Sequence, residues 1–98
     1  MIVNDTIRLR ISIQNALIGR ITKDIRGVYI KILDKNISLY VVVDGSTNDW
    51  NEIIYEVGTE VIADFDERYN IDEKLIRIDY PNELYFKEHI CVYRRYED

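Results

Sequence analysis

The chain has 98 residues, 47% of them hydrophobic, 11% aromatic and 32% charged, which suits one soluble domain over residues 1–98 with a core of its own. One proline and four glycines exclude a linker-rich or disordered chain, and the single cysteine, Cys91, excludes an internal disulfide and fits a reducing compartment. The net charge of −5 is unevenly laid out: residues 1–35 hold seven basic and three acidic side chains, residues 36–67 eight acidic and no basic, and residues 68–98 six basic and seven acidic.

The first element is ambiguous. "IRLRISI", residues 7–13, alternates apolar and polar side chains as a half-buried strand does. "SIQNALIG" instead resembles a helix end, with Ala16, Leu17 and Ile18 followed by Gly19, and Asn4 or Asp5 is available as an N-cap. The pattern supports strand and helix equally.

A hairpin comes next. "IRGVYIKIL" sets Val28, Ile30 and Ile32 against Tyr29, Lys31 and Leu33, and "ISLYVVVD" sets Ile37, Leu39, Val41 and Val43 against Ser38, Tyr40 and Val42. Asp34, Lys35 and Asn36 form the polar turn between them. After it, residues 46–49 offer helix caps, and Trp50, Ile53, Ile54, Val57, Val61 and Phe65 recur at helical spacing. Gly58 weakens that helix by about 1 kcal/mol relative to alanine. "KLIRIDY", ended by Pro81, and "HICVYRR" alternate as two further strands. With the first element helical, the order is α-β-β-α-β-β. The expected fold is α+β: a four-stranded antiparallel sheet with the helices packed on one face.

Catalytic patterns are sparse. His89 and Cys91 stand two apart, as a Cys–His pair or two metal ligands would, but no third group accompanies them, so a packed strand thiol is the better account. "DFDERYNIDE" offers Asp64, Asp66, Asn70 and Asp72 to a hard cation but lacks the glycine and the spacing of a calcium loop. No enzyme activity, cofactor or metal is expected. Tyr29, Tyr40 and Tyr93 sit opposite the expected core face with Lys31 and Arg77, either as a contact surface or as cross-strand aromatic pairs.

The acidic block is the more informative feature. Asp49, Glu52, Glu56, Glu60 and Glu67 fall within about 80° of arc on the polar side of the second helix. Solvated helices usually place lysine or arginine four residues from glutamate, whereas Glu52–Glu56 and Glu56–Glu60 are like-charge pairs. The block disfavours phosphate binding, so nucleic acid is not expected as a direct ligand, and it favours a basic protein partner. No apolar run reaches the ~18–20 residues of a membrane span, and "MIVNDTIRLR" lacks the pattern of a signal peptide. The expected location is the cytoplasm, with a monomer favoured.

"IQNALIGRITKDIRGVYI", "EVGTEVIADF" and "VYRRYE" together resemble a small immunity protein of the contact-dependent growth inhibition type, over residues 7–97 or so. The resemblance implies a cytoplasmic protein that binds a cognate toxin domain delivered by a neighbouring bacterium. It also implies that the first element is a helix. Toxin domains of that class are often nucleases acting on tRNA or DNA, and a nuclease needs a cationic cleft. Asp44, Asp49, Glu52, Glu56 and Glu60 are the expected contacts for its cations, with Tyr55 as a packing anchor. A DNA-mimicking inhibitor of another nucleic-acid enzyme and a non-catalytic oligomerising module are the competing readings, and a small hydrolase using His89 and Cys91 is the weakest.

Overall fold

Asn4 starts the first helix, α1 (Asp5–Leu17), by accepting the Thr6 N–H on its side-chain oxygen at 2.7 Å. This satisfies one of the donors that a helix start leaves open. The protein is described by a computed structural model over residues 4–45 and 50–97. The expected caps of the second helix, residues 46–49, and with them the candidate Asp49, lie outside the described residues. Leu9, Ile13, Ala16 and Leu17 are buried along one side of α1, while Ile7 and Ile11 face solvent. The local alternation therefore divides between two faces of a helix, and Gly19 follows the C-cap Ile18 with a φ of 80°.

Strands β1 (Ile25–Leu33) and β2 (Asn36–Val43) form the expected antiparallel hairpin, paired from Ile25↔Val43 to Leu33↔Asn36. Helix α2 (Asn51–Ala63) then buries Ile54, Val57 and Val61, with Trp50 and Phe65 at its ends. Each such side chain contributes about 1.5–3 kcal/mol on leaving water. Its last turn tightens, with the Asp64 N–H donating to Val61 and the Phe65 N–H to Ile62.

Beyond α2 the chain returns to the start of β2, so β3 (Asn70–Arg77) runs parallel to it from Asn36↔Asn70 to Val43↔Arg77. Strand β4 (Ile90–Arg94) pairs antiparallel with β1, giving the sheet order β3-β2-β1-β4. The α+β class and the order α-β-β-α-β-β are as expected, but the sheet is mixed. A helix joining two neighbouring strands carries the chain back to the end where the first strand began, and that imposes parallel pairing. The strand expected from Lys74 to Tyr80 also begins earlier, at Asn70, and stops at Arg77.

Both helices pack on one face, where α1, α2 and the inward residues of β1 and β2 share one apolar cluster. The other face is not open, as the tyrosine pattern had allowed. The connection between β3 and β4 crosses it, and Leu84 and Phe86 pack with Tyr29, Tyr40, Val42, Ile76 and Ile78. Tyr93 lies on the helical side instead, because a register shift between Val28 and Tyr29 brings Val92 and Tyr93 together against that cluster.

Gly58 has a packing role. A Cβ there would collide with the Glu73 side chain, which β3 sends beneath α2 and whose carboxyl is raised in pKa by burial and then by Asp72. Gly58→Ala is therefore expected to realise its ~1 kcal/mol of helix propensity only when Glu73 is also shortened to alanine. Urea unfolding of the two single variants and the double variant measures that non-additivity.

The residues around the C-terminus are fastened by charge. Arg26 on β1 is only 1% exposed. Its Nε and Nη2 donate to the two Glu97 oxygens at 2.7 and 2.9 Å, and its Nη1 donates to the Ile78 carbonyl at 2.8 Å. Arg95 adds Nε and Nη2 bonds to the same carboxylate at 3.1 and 2.8 Å, reaches Asp44 at 3.1 Å, and donates to the Lys23 carbonyl.

Candidate functional site

Helix α2 presents its outer face because its inner stripe is consumed by the core. Glu52, Tyr55, Glu56 and Glu60 all project from that face, and Tyr55 is 67% exposed. Tyr55, Glu56, Thr59 and Glu60 border a shallow depression together with Arg20, which follows α1. The Thr59 hydroxyl donates to the Tyr55 carbonyl at 2.9 Å, so the small residue between the acids is satisfied within the helix.

The charge is less unbalanced than a local count implies. Glu60 receives Arg20 through two bonds of 2.8 and 3.3 Å, and Arg20 also donates to the Ala16 carbonyl at 2.7 Å. Asp44 lies in the network with Arg95 rather than beside the helix residues. Asp64 accepts the Ser12 hydroxyl at 2.6 Å, and Asp66 is paired with Arg68, which holds its carboxyl down at about 2. Glu67 lies past the end of α2. Among the described residues, no cation stands within ion-pair distance of Glu52 or Glu56. These two like-charged neighbours repel by a few tenths of a kcal/mol, so the unneutralised part of the acidic surface is narrower than expected. Arg20 is the residue that sequence reasoning missed, since a countercharge from another element leaves no mark at i+4.

His89 and Cys91 do not form a pair. The His89 ring stacks on Tyr40 with centroids 4.4 Å apart; its Nδ1 lies 3.0 Å from the Lys87 carbonyl and its Nε2 3.3 Å from the Ser38 hydroxyl. With a carbonyl at Nδ1, that nitrogen carries the proton and Nε2 accepts from Ser38. The Cys91 thiol donates to the Tyr93 carbonyl at 3.3 Å.

With this geometry in view, the family model for the MafI2 immunity protein matches residues 6–97. The chain belongs to the MafI2 immunity protein family. The match carries the role of an immunity protein, the neutralisation of a toxin, and so implies a cognate toxin as partner. No curated protein matches the chain.

Proposed function

We propose that this MafI2 immunity protein neutralises its toxin without catalysis, by covering a cationic surface of the toxin domain with the outer face of α2. Glu52 and Glu56 supply most of the charge and Tyr55 packs between them and the partner; Glu60 and Asp44 add less, being paired with Arg20 and Arg95, and Asp49, just before the helix in sequence, adds its own charge. The toxin is a nuclease, acting on tRNA or DNA, of the contact-dependent growth inhibition kind, met in the cytoplasm by a monomeric immunity protein. The observation that carries this reading is the pair Glu52 and Glu56, which lacks a neutralising cation among the described residues and adjoins the exposed Tyr55. Carboxylates at helix spacing stand in for backbone phosphates before the lysines and arginines of a nuclease cleft.

The test combines the chain with the toxin domain encoded beside it. A stoichiometric complex and loss of RNA or DNA cleavage are expected, with the toxin recovered chemically intact. A complex whose formation ignores both added salt and the Glu52→Gln/Glu56→Gln change would overturn the acidic-face reading, and a toxin that cleaves neither nucleic acid would overturn the nuclease assignment. Arg20 supplies a test of opposite sign. Arg20→Gln removes an exposed pair worth no more than about 1 kcal/mol and leaves Glu60 uncompensated. Stopped-flow association with the toxin should then become faster at low salt.

A further inference from the structure

The outer face of α1 carries a surface of different chemistry. Ile7, Ile11 and Ile18 are 54%, 56% and 75% exposed. With Gln14 they follow spacings of four, three and four residues, which keeps all four side chains within about 60° of arc. Single exposed apolar residues are ordinary, whereas a stripe at this spacing is how a helix meets another apolar surface. The chain's own core does not need it, because Leu9, Ile13, Ala16 and Leu17 already bury the opposite side. Depressions flank the stripe, one bordered by Arg8, Ile11 and Asp64 and the other by Leu17, Ile18, Ile21, Val92 and Tyr93.

The stripe belongs to the same side of the molecule as the acids of α2. The two helices lie side by side on one sheet face, tied by Ser12 to Asp64 at 2.6 Å and by Arg20 to Glu60 at 2.8 Å. We infer that α1 provides a second contact surface for the same toxin, taking an apolar patch or amphipathic helix of that domain; this rests on the acidic-face reading above.

Charge selects the occupant. Arg10 and Arg8 stand on the two shoulders of the stripe, Arg8 with its guanidinium 5.6 Å from the Phe65 ring centroid. Among the described residues neither has a carboxylate within ion-pair distance. A second copy packed stripe to stripe would bring four guanidiniums to one seam, so the face fits a partner unlike itself. That partner carries carboxylates opposite Arg8 and Arg10 and cations opposite Glu52 and Glu56. Such a two-signed rim around an apolar centre fixes register and rejects a toxin that is merely basic.

The two surfaces govern different rates, since rim charge acts on association and desolvated apolar contact on dissociation. Ile11→Asp and Ile18→Asp are introduced singly, native folding is confirmed by circular dichroism and urea unfolding, and binding is measured against an inactive variant of the toxin domain encoded beside the chain. Dissociation is expected to accelerate at least about 30-fold with association unchanged, as for a hot-spot contact. Unaltered dissociation in both variants, with association still slowed by Glu52→Gln/Glu56→Gln, overturns this inference and leaves the acidic-face reading standing. The converse pattern overturns that reading and keeps this one. A wild-type chain that sediments as a dimer, becomes monomeric with Ile11→Asp and binds toxin at unchanged rates assigns the stripe to a second copy and overturns the inference.

Discussion

Glu97→Gln is expected to lower the unfolding free energy by about 3–5 kcal/mol, because it leaves the guanidinium of Arg26 buried without its countercharge. That is a large fraction of the ~5–15 kcal/mol available to a domain of this kind. Surface pairs such as Arg77–Asp79 are exposed and carry no comparable weight. The pH dependence has a definite sign. Bonds from Arg26 first, and then from Arg95, hold the Glu97 carboxyl at about 2 in the folded chain, below its ordinary value of 4.5. Its contribution is present above the unfolded value and is lost as pH falls through the folded one. The wild type should therefore lose stability between about pH 4.5 and pH 2 more steeply than the glutamine variant. Urea titrations at several pH values read the difference. Replacing Arg26 and Glu97 together by methionines should recover most of the loss at neutral pH, since two apolar side chains leave no unpaired charge. Parallel curves for wild type and Glu97→Gln would refute the account.

The acidic face yields the second large effect. Glu52→Gln/Glu56→Gln is expected to slow toxin association about 10-fold at low salt, and Glu52→Lys/Glu56→Lys about 100-fold, with thermal stability almost unchanged because both side chains are exposed. The gap should shrink near 0.15 M salt, where screening falls to about 8 Å. Glu60→Gln should do less than either other single change, because Arg20 already offsets that charge. Equal effects at the three positions would mean that the Arg20 bridge does not persist in solution.

The elements were legible wherever periodicity and burial agree. The hairpin showed in its two alternating runs, and α2 in the spacing of Trp50, Ile54, Val57, Val61 and Phe65, all buried. Strand direction was not legible: the alternation of Ile71, Leu75 and Ile76 is the same whether β3 runs with or against β2, and only the crossover through α2 decides. The covering of the second sheet face was not legible, because Leu84 and Phe86 belong to a segment without periodicity, which still supplies a layer against Tyr29 and Tyr40. Helical spacing places Glu52, Tyr55, Glu56 and Glu60 on the exposed side of α2, and the structure has them there. Spacing could not show that Glu60 meets Arg20 or that Asp44 meets Arg95, since those partners are distant along the chain. The stripe Ile7, Ile11, Ile18 was present in the sequence too, hidden by an alternation that suits a strand equally well.

The inward side chains of α1 and α2 make the core, whereas positions 7, 10, 11, 18, 52, 55 and 56 are exposed and form a set that can be exchanged in bulk. With the docking proposed above, grafting a different choice of residues at these positions would re-address the molecule to another antagonist while its melting behaviour stays close to the parent's. On that reading the scaffold lets recognition diverge quickly, step by step with a changing adversary, without each change having to pass through the interior.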